Sequence, residues 1–223
     1  PRSTQGVSSA ASDVYKRQIE GNFGKLFTGT HDTALKLSQL KVDLFNDTRA
    51  DIKNLFQGEN RMNSFVGYQS PEIFEGVTFT VNSISQTTGS FDSYGLNYSK
   101  GSLKVAIASD SNAKGYDNKR FASTFSLDSL DIDVGVLYQT TKKLSTGISE
   151  NGHVVSVKKN VFEKGSIYYQ TSSSDIKLES GEQNSFGYTH KISKVSKVFV
   201  HASNLESDTK NVDYVSVGFE YKF

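Results

Sequence analysis

The chain has 223 residues, with 25 Lys or Arg against 24 Asp or Glu, and its mean hydropathy is −0.45. A near-neutral charge argues against nucleic acid as a partner, and the low hydropathy excludes an apolar run long enough for a membrane-spanning helix. Because the sequence contains no cysteine, disulfides, thiolate metal sites and cysteine nucleophiles are excluded together.

The first eighteen residues differ from the rest of the chain. They read PRSTQGVSSAASDVYKRQ, with no strand-like alternation, and the stretch 7–18 resembles translated adapter sequence at the end of an assembled read. An ordinary disordered leader is the alternative. We expect residues 1–18 to be a non-native or disordered leader, and one folded domain to span 19–223. The chain begins with Pro1 rather than Met, so we expect the true N-terminus to lie upstream.

Residues 33–59 do not alternate either. They read TALKLSQLKVDLFNDTRADIKNLFQGE, the longest irregular stretch, and a strand is predicted on each side. Asp43, Asp47 and Asp51 are spaced by four, so a helix would place three repelling carboxylates on one face. A solvated loop with a short helix is one interpretation. The other is a functional loop, because loops of about 26 residues are uncommon in compact folds.

The remainder of the chain is a series of alternating segments separated by polar turns. A period of two predicts strands with one apolar and one polar face. We count about twelve strands of roughly eight to ten residues, the length that a tilted membrane-spanning strand requires. The predicted strands include residues 65–69, 77–81, 94–98, 103–107, 121–127, 130–138, 155–157, 167–169, 186–188, 198–202 and 214–223.

The connections between these strands are predicted to alternate in length. Those at 100–101, 128–129, 160–163 and 193–195 are short, whereas those at 86–92, 109–118, 140–151, 172–183 and 205–213 are longer and polar. Short turns on one rim and long loops on the other are typical of a membrane barrel. The pattern favours a barrel over a soluble β-sandwich that acts as a binding module or adhesin.

The last strand alternates up to the final residue. Val215, Val217, Phe219, Tyr221 and Phe223 share one face, and small or charged residues occupy the other. A chain end in water would gain nothing from five aligned apolar side chains. We therefore expect lipid to cover this face.

The polar faces of several predicted strands carry charged residues, among them Lys104, Arg120, Asp131 and Asp133. A narrow closed barrel would bury these groups at a cost of several kcal/mol each. A wide barrel of about sixteen strands would keep them hydrated. The sequence therefore predicts water on the inner side of the sheet.

Several of these segments resemble those of Gram-negative general diffusion porins. GNFGKL at 21–26 and GTHDT at 29–33 resemble the strand that enters the third, constriction loop of this family. VDLFNDT at 42–48 and GENR at 58–61 resemble that loop and the beginning of the strand that leaves it. The terminal strand, with Phe219, Tyr221 and Phe223, is similar to the family's outer-membrane assembly signal. The resemblance covers residues 19–223.

The resemblance implies an all-β fold, an antiparallel transmembrane β-barrel of about sixteen strands whose constriction loop folds into the lumen. About twelve strands would be present here, and about four more and a signal peptide would lie upstream. It further implies a homotrimer in the bacterial outer membrane, in contact with lipid, lipopolysaccharide and the outer-membrane assembly machinery. The implied function is passive diffusion of ions and small hydrophilic solutes.

The resemblance also implies a constriction in which loop carboxylates face basic side chains of the wall. The transverse field would orient solutes and set ion preference, whose sign the sequence leaves open. Arg61 matches the basic position just after the loop, whereas Thr30 stands where an arginine is expected. The candidate constriction and pore-lining residues are Asp43, Asp47, Asp51, Glu59, Arg61, Lys104 and Arg120.

Motifs for other chemistry are missing from the sequence. The four histidines are scattered without metal-ligand spacing, and there is no nucleophile elbow or phosphate-binding loop. We therefore expect no catalytic residue, no metal and no cofactor. A substrate-selective, sugar-type porin is the alternative within membranes, and it would need a row of aromatic side chains along the lumen.

Overall fold

The computed structural model describes residues 17–86 and 89–222, which form thirteen strands in a single antiparallel sheet. Each strand pairs only with its neighbours in sequence, and the prediction of an all-β antiparallel fold is confirmed. A single sheet is incompatible with the β-sandwich alternative, which needs two packed sheets. The strands are β1 (Arg17–Gly21), β2 (Gly24–Asp32), β3 (Arg61–Gln69), β4 (Val77–Gln86), β5 (Gly89–Lys100), β6 (Leu103–Ala113), β7 (Tyr116–Leu127), β8 (Ile132–Lys143), β9 (Ser149–Val161), β10 (Gly165–Ser174), β11 (Gly181–Lys191), β12 (Ser196–Ser207) and β13 (Lys210–Tyr221).

Two sequence predictions fall largely outside the described residues. The proposed leader is described only at its last two positions, where Arg17 and Gln18 begin β1. Phe223, the last residue of the proposed assembly signal, is not among the described residues either. The described residues form thirteen strands where about twelve were expected, and β1 begins within the proposed leader.

Helical structure within the described ranges is limited to α1 (Ala34–Leu37) and the two single 3₁₀ turns Ile52–Asn54 and Asp128–Leu130. None of the helices in these ranges has the length and apolarity needed to cross a membrane. Residues 33–60, which connect β2 to β3 and are called the inner segment below, therefore fold mainly without regular structure. The three aspartates spaced by four do not share a helix.

The connections on the two rims differ less in length than the sequence predicted. On the rim that carries the inner segment, called the loop rim, links 114–115 and 208–209 are two residues long, and the longest other link is 175–180. The opposite rim, called the turn rim, carries links such as 70–76, 162–164 and 192–195. The polar stretches predicted as long loops mostly continue the strands, because ladder hydrogen bonds need no apolar side chains.

The two faces of the sheet have opposite character. Outward positions of β13 carry Val215 and Val217, which are 78% and 79% exposed, followed by exposed Phe219 and Tyr221. Inward positions of the other strands carry buried polar residues such as Gln139 and Ser185, which the inner segment and the curvature of the sheet cover. Outward side chains are therefore mostly apolar and inward side chains mostly polar, the reverse of a water-soluble fold, except where inward apolar residues contact the inner segment.

The inner segment is held against the inner wall by a small apolar cluster. Its side of the cluster consists of Val42, Ile52, Leu55 and Phe56, all fully buried. The wall side consists of Ala122, Leu137, Val154, Ile176 and Leu205. Burying a Leu or Phe side chain is worth about 1.5–3 kcal/mol, so this cluster stabilises the fold-back.

Glycines on the wall make room for the inner segment. Four inward-facing glycines would each, if given a Cβ, meet an inner-segment atom at or below ordinary contact distance. The inner-segment atoms nearest to these Cβ positions are Ala34 Cβ at 3.3 Å for Gly95, Val42 Cα at 3.2 Å for Gly135, Phe56 Cε1 at 2.6 Å for Gly152 and Leu55 Cδ2 at 2.7 Å for Gly181. The wall is thus shaped to receive this segment.

Within the described residues, β1 pairs only with β2 and β13 only with β12. Each of these strands has one edge whose backbone groups lack a ladder partner. Such an edge is not tolerated in hydrocarbon, where no water replaces the missing hydrogen bonds.

We expect Val217→Lys to lower the free energy of unfolding in phospholipid vesicles by roughly 2–4 kcal/mol, because it places a charge on the lipid face near the middle of β13. The matched control is Ser216→Lys, whose side chain points inward, and we expect a loss below about 1 kcal/mol. Denaturant titration of vesicle-folded protein measures both values. Equal losses in the two variants would contradict the assignment of faces.

Candidate constriction site

Arg120 anchors the inner segment to the wall. Its Nη2 lies 2.6 Å from Glu59 Oε1, and the two side chains are 0% and 5% exposed. Its Nε and Nη2 also donate to Gln139 Oε1 at 2.8 and 2.6 Å, and its Nη1 donates to the carbonyl of Leu35 at 3.2 Å. One side chain of β7 therefore contacts both the entering and the returning limb of the segment.

Further hydrogen bonds connect the Glu59–Arg120 pair to both limbs of the inner segment. Gln139 Nε2 donates to the carbonyl of Gln57 at 2.9 Å, and Gln39 Nε2 donates to Glu59 Oε2 at 3.0 Å. Burial raises the pKa of Glu59, and the charge of Arg120 opposes that effect. The pair and its amide partners form a connected polar network inside the sheet.

Asp43 and Asp51 organise the inner segment from within. Asp43 accepts hydrogen bonds from the backbone N–H groups of Phe45 at 2.9 Å and Ile52 at 3.2 Å. Asp51 accepts from the backbone N–H groups of Asp47 at 2.9 Å and Lys53 at 2.7 Å. Both are buried, so they satisfy backbone donors that the irregular fold would otherwise leave unpaired.

The environment of Asp43 favours its neutral form. Burial, reinforced by the nearby carboxylate of Asp51, raises the pKa of Asp43 from 3.8 to about 7, although its two backbone donors oppose the shift. Asp43 thus carries a full negative charge only above neutral pH.

The water-accessible part of the site is a cavity of about 480 Å³ between the inner segment and strands β2, β3 and β6, called the charged cavity below. Its charged lining residues are Asp32, Lys36, Lys41, Asp47, Arg61 and Lys104. Lys36 Nζ lies 3.3 Å from Asp32 Oδ1. The cavity has four cationic groups and two carboxylates and therefore carries a net positive charge.

The structure separates the candidate residues into two groups. Asp47, Arg61 and Lys104 line the charged cavity. Asp43, Asp51, Glu59 and Arg120 lie instead in the contact between the inner segment and the wall, away from open water. The reason is that the inner segment lies directly on the inner face, where Glu59 pairs with Arg120, while Asp43 and Asp51 accept hydrogen bonds from the segment's own backbone.

Sequence reasoning did not select Asp32, Lys36 or Lys41, although they line the same cavity. Asp32 and Lys36 are four residues apart at the start of the inner segment and form an ion pair. That spacing is a detectable signal on a helix, but it does not reveal which side of the chain meets the lumen. The part of the chain that the structure describes contains no group of three His, Cys, Asp or Glu side chains placed to hold a metal ion.

No protein-family model and no curated protein sequence matches the chain. Solved structures do match it in fold, among them three outer-membrane proteins. The anion-selective porin from Comamonas acidovorans has 18% identity and a TM-score of 0.74, with 93% of this chain and 77% of that chain covered. OmpF from Salmonella typhi, in a complex with daunomycin, has 12% identity and a TM-score of 0.73, with 90% and 74% covered. In-vitro folded OmpT of Vibrio cholerae in its trimer form has 14% identity and a TM-score of 0.65, with 92% and 79% covered.

The chain therefore has the fold of porin-type outer-membrane β-barrels, with the inner segment folded back inside. The resemblance to porins inferred from the sequence is confirmed at the level of the fold. Because the sequence identities are below 20%, the similarity shows the fold alone. Which solutes could pass must be inferred from this chain's own residues.

We expect Glu59→Gln to lower the free energy of unfolding by about 3–5 kcal/mol, because it leaves the Arg120 charge buried without a counter-charge. The double variant E59Q/R120M should lose less than the sum of the two single variants. The control is Glu75→Gln, whose ion pair with Lys100 is 3.0 Å long but exposed, and it should cost below about 1 kcal/mol. Additive losses in the double-mutant cycle would contradict the anchoring role.

The raised pKa of Asp43 predicts a pH dependence. The folded state binds this proton more tightly than the unfolded chain, so its contribution is full below pH 3.8 and is lost as the pH rises through about 7. Stability of the native protein should therefore fall over this range, and Asp43→Asn should reduce the slope. Denaturation midpoints measured from pH 4 to 8 test this, with Asp47→Asn on the exposed side of the segment as the control. An unchanged slope in D43N would refute the prediction.

Proposed function

We propose that this chain forms a water-filled channel of the bacterial outer membrane, through which ions and small hydrophilic solutes diffuse passively. The observation that carries the proposal is that the sheet has a polar inner face and an apolar outward face. The inner segment narrows the space along the inner face to the charged cavity. We propose no catalytic role and no cofactor. Small solutes would pass beside the inner segment, where the charged side chains define the field.

The outward face supports a membrane location. Ile107, Phe121, Tyr138, Val155 and Val217 are all more than a third exposed although they are apolar. In water a surface of this kind would drive aggregation, whereas in a bilayer it meets hydrocarbon. Outer-membrane lipid and lipopolysaccharide are accordingly the proposed surroundings.

We further propose that the sheet closes into a barrel of about sixteen strands, and that the strands which join β1 to β13 lie outside the described residues. The unpaired edges of β1 and β13 support this, because lipid cannot satisfy them. The proposed assembly is a homotrimer, supported by the trimer form of the similarly folded OmpT. Phe219 and Tyr221, exposed on the last strand, are the proposed contacts of the assembly machinery, together with Phe223.

The charged cavity favours small anions over cations. Its four cationic groups outnumber its two carboxylates, and a charged constriction selects ions of opposite sign. The Comamonas porin to which the chain is similar is described as anion-selective. We propose the same preference here.

A sugar-selective channel is the second candidate. Tyr168 and Phe199 line an inner cavity of about 300 Å³, and Phe45 of the inner segment packs 5.1 Å from the ring of Tyr168. Aromatic faces at this position would suit sugar rings. Saturable block of ion current by maltodextrin would favour this candidate, and its absence would favour a general channel.

The complete protein, reconstituted in a planar bilayer, should conduct in steps, commonly in threes, because trimers insert as units. The sample should first show heat-modifiable electrophoretic mobility, which reports a closed barrel. A correctly folded sample without conductance at any voltage would refute the proposed function.

The double variant R61Q/K104Q should lower the chloride-to-potassium permeability ratio by about twofold or more, because it removes two cations from the charged cavity. Asp47→Asn should raise the ratio. The control K142Q/K143Q removes two exposed lysines at the loop-rim end of β8, outside the charged cavity, and should leave the ratio nearly unchanged. Reversal potentials in a salt gradient measure all three, and equal effects of both double variants would contradict the assignment.

A further inference from the structure

A second concentration of positive charge lies at the turn rim, beside the connection between β11 and β12. A cavity of about 600 Å³ there, called the rim cavity, has a single carboxylate, Glu220, among its lining residues. Its lysines are Lys164, Lys191, Lys194, Lys197 and Lys222. The lining therefore carries a net charge of about +4, a potential that attracts anions.

The strand register places two of these lysines against each other. Lys191 of β11 and Lys197 of β12 are direct cross-strand partners, an arrangement that is destabilising without a counter-charge. Lys197 Nζ has Glu220 Oε2 at 2.8 Å. Lys191 has no ion-pair partner among residues 17–86 and 89–222. The five lysines thus have one carboxylate among them, and the cluster carries an excess of positive charge.

The rim cavity continues into the lumen. Lys191, Lys197 and Glu220 also line the deeper cavity of about 300 Å³, which adds Lys158 and reaches Asn46 and Thr48 of the inner segment. Lys158 lies 3.6 Å from Asp133 and is partly neutralised by it. A cationic path therefore runs along the inner wall from the turn rim toward the constriction.

We propose that the rim cavity is a binding subsite for solutes that carry two or more phosphate charges. Primary ammonium groups are strong donors to phosphate oxygens, and several of them around one cavity can share a multivalent anion. A singly charged anion would neutralise too little of the lysine cluster to be retained. The subsite would concentrate phosphorylated solutes at the turn-rim mouth, on one side of the constriction.

This inference rests on the proposed channel only for its physiological role, and binding is measured without conductance. Isothermal titration of the detergent-folded complete protein with inorganic pyrophosphate gives a dissociation constant at fixed ionic strength. The double variant K191Q/K197Q should weaken pyrophosphate binding by about tenfold, because both removed lysines line both cavities. The control K142Q/K143Q removes the same charge from the opposite rim and should change the constant less than about twofold.

The other source of phosphate chemistry is a lipid headgroup at the membrane surface. A parallel titration with phosphatidylglycerol micelles separates the two sources, and heat-modifiable mobility checks that each variant is folded. The inference is overturned if K191Q/K197Q binds pyrophosphate as the native protein does, or if both double variants weaken it equally. It is also overturned if phosphatidylglycerol displaces pyrophosphate completely. A protein that binds pyrophosphate but does not conduct would refute the channel and leave this subsite standing.

Discussion

The buried ion pair between Glu59 and Arg120 is the contact on which the interior of this protein depends. A guanidinium at an inward position in the middle of β7 would be costly without a counter-charge, because it is removed from water. Glu59, at the end of the inner segment, supplies that charge, and the carbonyl of Leu35 at its beginning accepts a further hydrogen bond. The pair therefore fixes both limbs of the segment against one strand, and the apolar cluster around Phe56 packs the segment between them against the wall.

This arrangement divides the polar interior into a structural and a water-accessible part. Within the inner segment, the side chain of Asp43 accepts hydrogen bonds from backbone N–H groups of the segment itself. Beyond it, Arg61 and Lys104 remain beside open volume, where their charge can act on a passing ion. In the proposed channel the inner segment can therefore be both rigid and ion-selective, because different side chains carry out these two functions. The apolar outward face suits contact with lipid, and the polar inner face suits the proposed passage of solutes.

Much of the fold could be predicted from the sequence, because a period of two reports a strand and its faces without knowledge of distant contacts. The terminal strand is the clearest case, since Val215 and Val217 point outward as the alternation requires. The interior was harder to predict because burial there depends on partners far apart in sequence. Arg120 contacts Leu35 across 85 residues, and nothing local distinguishes it from a water-facing wall cation such as Lys104. The rim lengths were mispredicted for a related reason, since polar composition does not prevent strand pairing.

The most direct test asks whether the inner segment turns into the interior and lies against β5. The chain has no native cysteine, so an introduced pair can be scored without background. A Cβ at Gly95 would lie 3.3 Å from the Cβ of Ala34, close to the Cβ–Cβ separation of a disulfide, so A34C and G95C should form one. Peptide mass spectrometry of the folded, oxidised double variant should detect this cross-link, and A34C/L96C, whose second cysteine points outward, should remain reduced. A folded A34C/G95C protein that stays reduced, or equal cross-linking of both pairs, would contradict the fold-back of the inner segment.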